Sequence, residues 1–96
     1  MALIQVTPDL LEAKATEVRG LKAEHDEVMA KMASLIHALD EIWKGEAQAA
    51  FVAKFDGMQP TFNNFAEMLN DYATMMDTSA KTLREADEAL KAVIGN

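Results

Sequence analysis

The chain has 96 residues, of which 50% are hydrophobic and 26% are charged, and its formal net charge is −7. Half apolar is too much for a disordered chain, and the lack of cysteine excludes a disulfide scaffold, a thiolate metal site and a cysteine nucleophile. The acidic balance gives no positive surface for phosphate backbones, so we expect no nucleic-acid partner. A single domain of this length buries only about 60–65% of its unfolded surface, so we expect a protein partner.

The first predicted helix begins at Thr7, which can cap it, with Pro8 suited to the first helical position and Asp9 to the positive end of the dipole. Residues then recur at alternating spacings of three and four, which is the period of a helix with one buried side. Most members of this first seam are apolar, and they are Leu11, Lys14, Val18, Leu21, His25, Val28, Met32, Leu35, Leu39 and Ile42. We predict a helix over about residues 8–43.

A turn at residues 43–46 is indicated by Gly45, which permits a positive φ, and a second helix is predicted over about 46–94. Its seam has the same spacing and consists of Phe51, Phe55, Met58, Phe62, Phe65, Leu69, Tyr72, Met76, Ser79, Leu83, Ala86, Leu90 and Val93. Pro60 removes a helical hydrogen bond, but the register passes through it unbroken. A kinked continuous helix is therefore preferred, with two separate helices as the alternative.

Two long helices joined by a short turn form an antiparallel hairpin, so we predict an all-α, single-domain fold for residues 1–96. The apolar stripe is wider than a two-helix seam needs, because further apolar residues follow the seam at intervals of seven. We expect this extra stripe to form a dimer interface, giving an elongated four-helix bundle. A homodimer is the default and a heterodimer with a paralogous chain stays open. The predicted interface residues are Met29, Ile36, Trp43, Ala66 and Ala73.

The second helix is longer than the first, so its last residues, from about Thr82, are predicted to project beyond the start of the first helix. This overhang is apolar on one side, with Leu83, Leu90 and Ile94 among its residues. An apolar extension needs something to pack against, such as a dimer partner or another protein.

Catalytic and metal-binding patterns are not recognisable. No nucleophile elbow, glycine-rich phosphate loop or inward carboxylate pair is visible, so we expect no enzyme activity and no cofactor. His37 with Asp40 and Glu41 has helical ligand spacing but lacks a third convergent ligand, so we expect no metal. No stretch approaches the ~20 apolar residues that span a bilayer, and the first residues lack the pattern of a cleaved signal peptide, so we expect neither.

Trp43-Lys44-Gly45 lies near the middle of the chain, between the two heptad helices. Together with the length, the acidity, the missing cysteine and the Thr7-Pro8 start, this arrangement resembles the WXG family, the small ESAT-like secreted proteins of Gram-positive bacteria and mycobacteria. The resemblance includes the pattern that follows the motif, namely Ala47, Phe51, Phe55 and Pro60. For Trp43, ordinary packing and a half-exposed recognition role both stay open.

The family also has a C-terminal export signal, of which the broader form is hydrophobic-x-x-x-Asp-x-x-hydrophobic-x-x-x-hydrophobic. The residues that fit it are Leu83, Asp87, Leu90 and Ile94. The narrower form has Tyr where this chain has Leu83, which favours a Firmicutes-like branch. These four positions share one helix face. A solvated Asp87 paired with Lys91 is the simpler alternative.

The resemblance implies a substrate of the type VII secretion system, made in the bacterial cytoplasm and exported without a cleaved signal, as a folded dimer. It further implies recognition by a membrane-bound secretion ATPase of the FtsK/SpoIIIE type, and a role as a secreted effector or as an escort for other substrates. The alternative is a cytoplasmic helical adaptor, or chaperone-like partner, for another helical protein. A membrane-active toxin is disfavoured by the net charge.

Overall fold

The computed structural model describes residues 7–94, with only the backbone described at residue 94. It contains helix α1 (Pro8–His37), a short 3-10 helix (Ala38–Glu41), helix α2 (Glu46–Gly57) and helix α3 (Gln59–Ile94). Over residues 7–94 there is no strand. The predicted all-α hairpin is confirmed, with α1 as one arm and α2 and α3 together as the other.

The start of α1 has the predicted cap. The Thr7 hydroxyl accepts a hydrogen bond from the Leu10 N–H at 3.2 Å, Pro8 occupies the first turn, and Asp9 lies at the positive end of the dipole. The other end of α1 comes earlier than the predicted residue 43. Its last turn tightens into a 3-10 helix, in which the Leu39 carbonyl accepts both the Ile42 and Trp43 N–H groups.

The chain reverses at Gly45, which has φ +130 and ψ 179. This region is closed to residues with a Cβ, so glycine is required by the backbone. The Gly45 carbonyl accepts the Ala49 N–H at 3.1 Å and so begins α2. The positive φ predicted for this residue is therefore present.

The second arm is interrupted at Met58, two residues before Pro60. Proline has no N–H to donate into the preceding turn, and the helix divides there. Met58 keeps helical angles (φ −88, ψ −4) and its carbonyl accepts the Phe62 N–H at 3.1 Å. The preferred kinked arm agrees with this geometry, because only Met58 lies between α2 and α3 and no loop intervenes. The apolar register does continue, because the rings of Phe55 and Phe62 lie 5.6 Å apart across the break.

The arms pack chiefly through small side chains along α1 and α3. Ala15, Ala73 and Ala80 have no exposed surface, whereas no large side chain among the described residues is fully buried. Alanine at the contact lets the two helix axes approach closely. The result is one layer of two helices, 77 × 25 × 16 Å, with a radius of gyration of 22.0 Å against about 12 Å for a compact domain of this length.

Four of the five residues predicted for the dimer interface are partly or fully covered within one chain. Ile36 is 3% exposed and Ala73 is fully covered, while Met29 and Ala66 are half-buried, all within one chain. Ile36 and Ala73 are therefore already covered by the hairpin itself, and the dimer interface stays a prediction. An apolar band wider than one helix contact can bury one edge within the hairpin and leave the rest for a partner.

Candidate interaction surface

The hairpin leaves a row of large apolar side chains in contact with solvent, each 42–59% exposed. They come from the two seams at spacings of three, four or seven residues, so on each helix they share one side. We call this surface the apolar face, and its members are Leu21, Val28, Met32, Leu35, Phe51, Met58, Phe65 and Tyr72. Met68 and Met75, also exposed, extend it along α3.

The exposed rows of the two arms lie on the same side of the molecule. The His25 ring lies 5.3 Å from the Phe65 ring, between α1 and α3. Nearer the turn, Met32 of α1 lines a cleft of about 200 Å³ together with Phe51 and Met58 of the other arm. The apolar face is therefore continuous across both arms.

The total accessible surface is larger than the mass of the chain requires. It measures 7456 Å², whereas a compact protein of 10.5 kDa exposes about 5,400 Å². The excess of roughly 2,000 Å² is more than the ~800 Å² that one partner contributes to a typical interface. The surface of this single layer of helices is thus large enough to pack against a second layer on the apolar face.

Charged pairs bridge the arms on the flank opposite the apolar face. Arg19 pairs with Asp77, each placed one turn after a buried alanine. Arg84 donates to Asp9 and Glu12 at the start of α1, at 2.6 and 2.5 Å. The hydrogen bond from Arg84 lowers the pKa of the Glu12 carboxyl below its ordinary value. One side of the hairpin is therefore apolar and the other is held by ion pairs.

The Trp43-Lys44-Gly45 motif forms the tip of the hairpin. The Trp43 side chain is 39% exposed and its ring lies 5.9 Å from that of Phe51, so it borders the apolar face. It is the one member of the predicted dimer interface that the structure leaves exposed. His37 pairs with Asp56 at 2.9 Å, and no group of residues within 7–94 could hold a metal ion.

The C-terminal part of α3 leaves the hairpin close to the predicted point. Leu83 and Arg84 are half-buried, and residues 85–93 are all exposed, including Asp87 and Leu90. Lys91 lies 3.9 Å from Glu88, and the described residues show no ion pair to Asp87. The Ile94 side chain lies outside the described residues. We call residues 83–94 the export segment; whether it acts as a signal stays a prediction.

Sequence reasoning missed the bridge from Arg84 to the start of α1. A signal was available, because in an antiparallel hairpin the numbers of facing residues add to a nearly constant value. Arg84–Asp9, Arg19–Asp77 and His37–Asp56 all fit this relation and join opposite charges. A search for such pairs would have found the three of them.

Within residues 7–94, no helix has both the length and the apolar character needed to cross a membrane.

Comparison with known proteins gives consistent matches over nearly the whole chain. Protein YukE of Bacillus subtilis is 28% identical over 86 residues, 90% of this chain and 89% of its own. The type VII secretion system extracellular protein A of Staphylococcus aureus is 26% identical over 98 residues, 99% of this chain and 98% of its own. The crystal structure of Geobacillus thermodenitrificans EsxA superposes with a TM-score of 0.80 at 26% identity, covering 94% of this chain and 97% of that one.

The relatives come from Firmicutes, which agrees with the branch that Leu83 favours. The family model described as proteins of 100 residues with WXG matches residues 3–88, which include the Trp43-Lys44-Gly45 tip and most of both arms. This chain belongs to the WXG100 family.

Proposed function

We propose that this chain is a substrate of a type VII secretion system, exported as a pair of hairpins and acting by binding other proteins. Membership of the WXG100 family supports this role, as does similarity to a staphylococcal protein named for extracellular location in that system. The single observation that carries it is the apolar face beside a projecting helical segment. The face suits a second hairpin, and the segment suits a receptor.

Pairing follows from the physics of the apolar face. Exposed contiguous apolar surface of this extent marks an interface in most proteins. A second copy placed face to face would direct both seams of each hairpin toward a common bundle axis, which is where a four-helix bundle buries its apolar bands. A homodimer needs only this chain, and a heterodimer would need a paralogue with a matching face.

The export segment offers a short helical edge to a receptor. Leu83 and Leu90 lie seven residues apart with Asp87 between them, so two apolar side chains and one carboxylate share a face. A membrane-bound secretion ATPase of the FtsK/SpoIIIE type is the proposed receptor. Binding through such a pattern needs no catalytic residue on this chain, and the proposed role is non-enzymatic.

Export by the cells that make the protein is the direct test. Asp87→Ala removes the carboxylate of the segment, and Glu88→Ala removes its exposed neighbour outside the pattern. We expect Asp87→Ala to accumulate inside the cells while Glu88→Ala appears in the medium in the same amount as the unchanged chain. Circular dichroism and sedimentation of both purified variants check that the helices and the pairing are retained.

Two outcomes would contradict the proposal. One is normal export of Asp87→Ala, which would remove the role of the segment. The other is an unchanged chain that stays in the cells and is helical only with a different protein bound, which would favour a cytoplasmic adaptor.

A further inference from the structure

Arg84 joins α3 to the start of α1 at the point where α3 becomes exposed. Its Nη2 atom donates to Asp9 Oδ1 at 2.6 Å and to Glu12 Oε1 at 2.5 Å. Both carboxylates lie in the first turns of α1, three residues apart and therefore on one side of that helix. We call this group of three residues the Arg84 clamp.

The clamp is part of the export segment itself. Arg84 directly follows Leu83 and precedes Asp87 by three residues, so it lies within the pattern without being one of its defined positions. Next to it, Thr7 and Pro8 border a cleft of about 330 Å³ whose other wall carries Asp87, Glu88 and Lys91. The start of α1 and the pattern carboxylate therefore lie on the two sides of one cleft.

The charges around the clamp favour the closed arrangement. Arg84 lies between two carboxylates, and the pKa of the guanidinium is held well above its ordinary range by those hydrogen bonds. The start of α1 is further fixed by the Thr7 cap and by Pro8. The Arg84 side chain of α3 is therefore bound to a helix start that is itself fixed in place.

We propose that the Arg84 clamp is a positioning device for export, which holds α3 against the start of α1 and so presents Asp87 and Leu90 as an ordered helix projecting from a fixed point. The inference rests on the proposed function. Arg84, Asp9 and Glu12 act here through the geometry of the segment, and none of them needs to touch the receptor.

The Arg19–Asp77 pair serves as a comparison within the molecule. It also bridges α1 and α3, and its side chains are 44% and 38% exposed, close to the 43% of Arg84. It lies in the middle of the contact, where buried alanines on both helices already hold the arms together. Arg84 lies instead at the end of the contact, and residues 85 to 93 beyond it are all exposed.

The test changes α1 and leaves the export segment untouched. The double variant Asp9→Asn/Glu12→Gln removes both partners of Arg84. The control Glu17→Gln/Asp26→Asn removes the same charge from the same helix, where these residues pair only with Lys14, Lys22 and His25 of α1. Hydrogen exchange of residues 85–93 in the purified protein reports on order, and the amount in the medium reports on export.

In the double variant we expect the backbone amides of residues 85–93 to exchange about fivefold faster, because two exposed ion pairs are lost. We also expect several-fold less of this variant in the medium. The control should match the unchanged chain in both measurements. Unchanged exchange in the double variant, or faster exchange with normal export, would overturn the clamp. Export of Asp87→Ala is measured in parallel. Normal export of Asp87→Ala would refute the proposed function. Failed export of Asp87→Ala together with normal export of the double variant would refute only the clamp.

Discussion

Truncation of Leu21 tests the apolar face as a surface for a second copy. Leu21 is 55% exposed, and burying a whole leucine side chain is worth about 1.5–3 kcal/mol. Covering the exposed half therefore contributes about 1–1.5 kcal/mol per copy, and a symmetric pair gains it twice. Leu21→Ala loses most of this, and because 1.4 kcal/mol is tenfold, the dimer dissociation constant should rise roughly 10- to 100-fold.

Sedimentation equilibrium over a series of protein concentrations measures this constant. Alanine has the highest helix propensity, so the arm itself should stay helical, which circular dichroism checks. Glu27→Ala is the control, since Glu27 lies on the same helix, pointing away from Leu21, and pairs only with Lys31. Equal weakening by both substitutions, or an unchanged chain that stays monomeric at high concentration, would refute the role given to the face.

Three further predictions concern the hairpin itself. Ala73→Leu overfills a contact with no exposed surface and should reduce the free energy of unfolding by about 1–3 kcal/mol in urea denaturation, whereas Ala30→Leu, at an exposed position, should have little effect. Gly45→Ala forces a Cβ into φ +130 and should cost about 1–3 kcal/mol by the same measurement; an equally stable variant would contradict the strain. Because Arg84 lowers the pKa of Glu12 in the folded chain, the stability it adds is present above its ordinary value of 4.5 and is lost as the pH falls through the lowered value. Thermal denaturation should therefore show Glu12→Gln as less stable near neutral pH and equal to the unchanged chain in strong acid, and a gap that persists in acid would disprove this.

The architecture of the hairpin was predictable because its signals are local. Thr7 and Pro8 specify the start of α1 by hydrogen bonding and a fixed φ, and Gly45 specifies the turn by its backbone freedom. The end of α1 was harder, since no glycine or proline marks His37 and the tightening into a 3-10 helix depends on the carbonyl of Leu39. The bend at Met58 was predicted from Pro60 and from the apolar register that continues past it.

The assignment of the two edges of the apolar band could not be made from periodicity. A seam of period seven gives the direction of the band but not which edge meets the other arm. The structure puts Ala15, Ala73 and Ala80 between the arms and leaves Val28 and Tyr72 outside. Side-chain size was the overlooked signal, because a close helix pair selects small residues and leaves the larger ones for the wider centre of a bundle.

The claim that a second copy covers the apolar face is tested most directly with one thiol at a time, since the chain has no cysteine. Val28→Cys places a thiol on the face, and Ala30→Cys places one two residues away on the opposite side of α1. As protein concentration rises, the thiol of Val28→Cys should lose reactivity toward a soluble disulfide reagent while that of Ala30→Cys stays reactive. Equal reactivity of both thiols at every concentration would contradict the account.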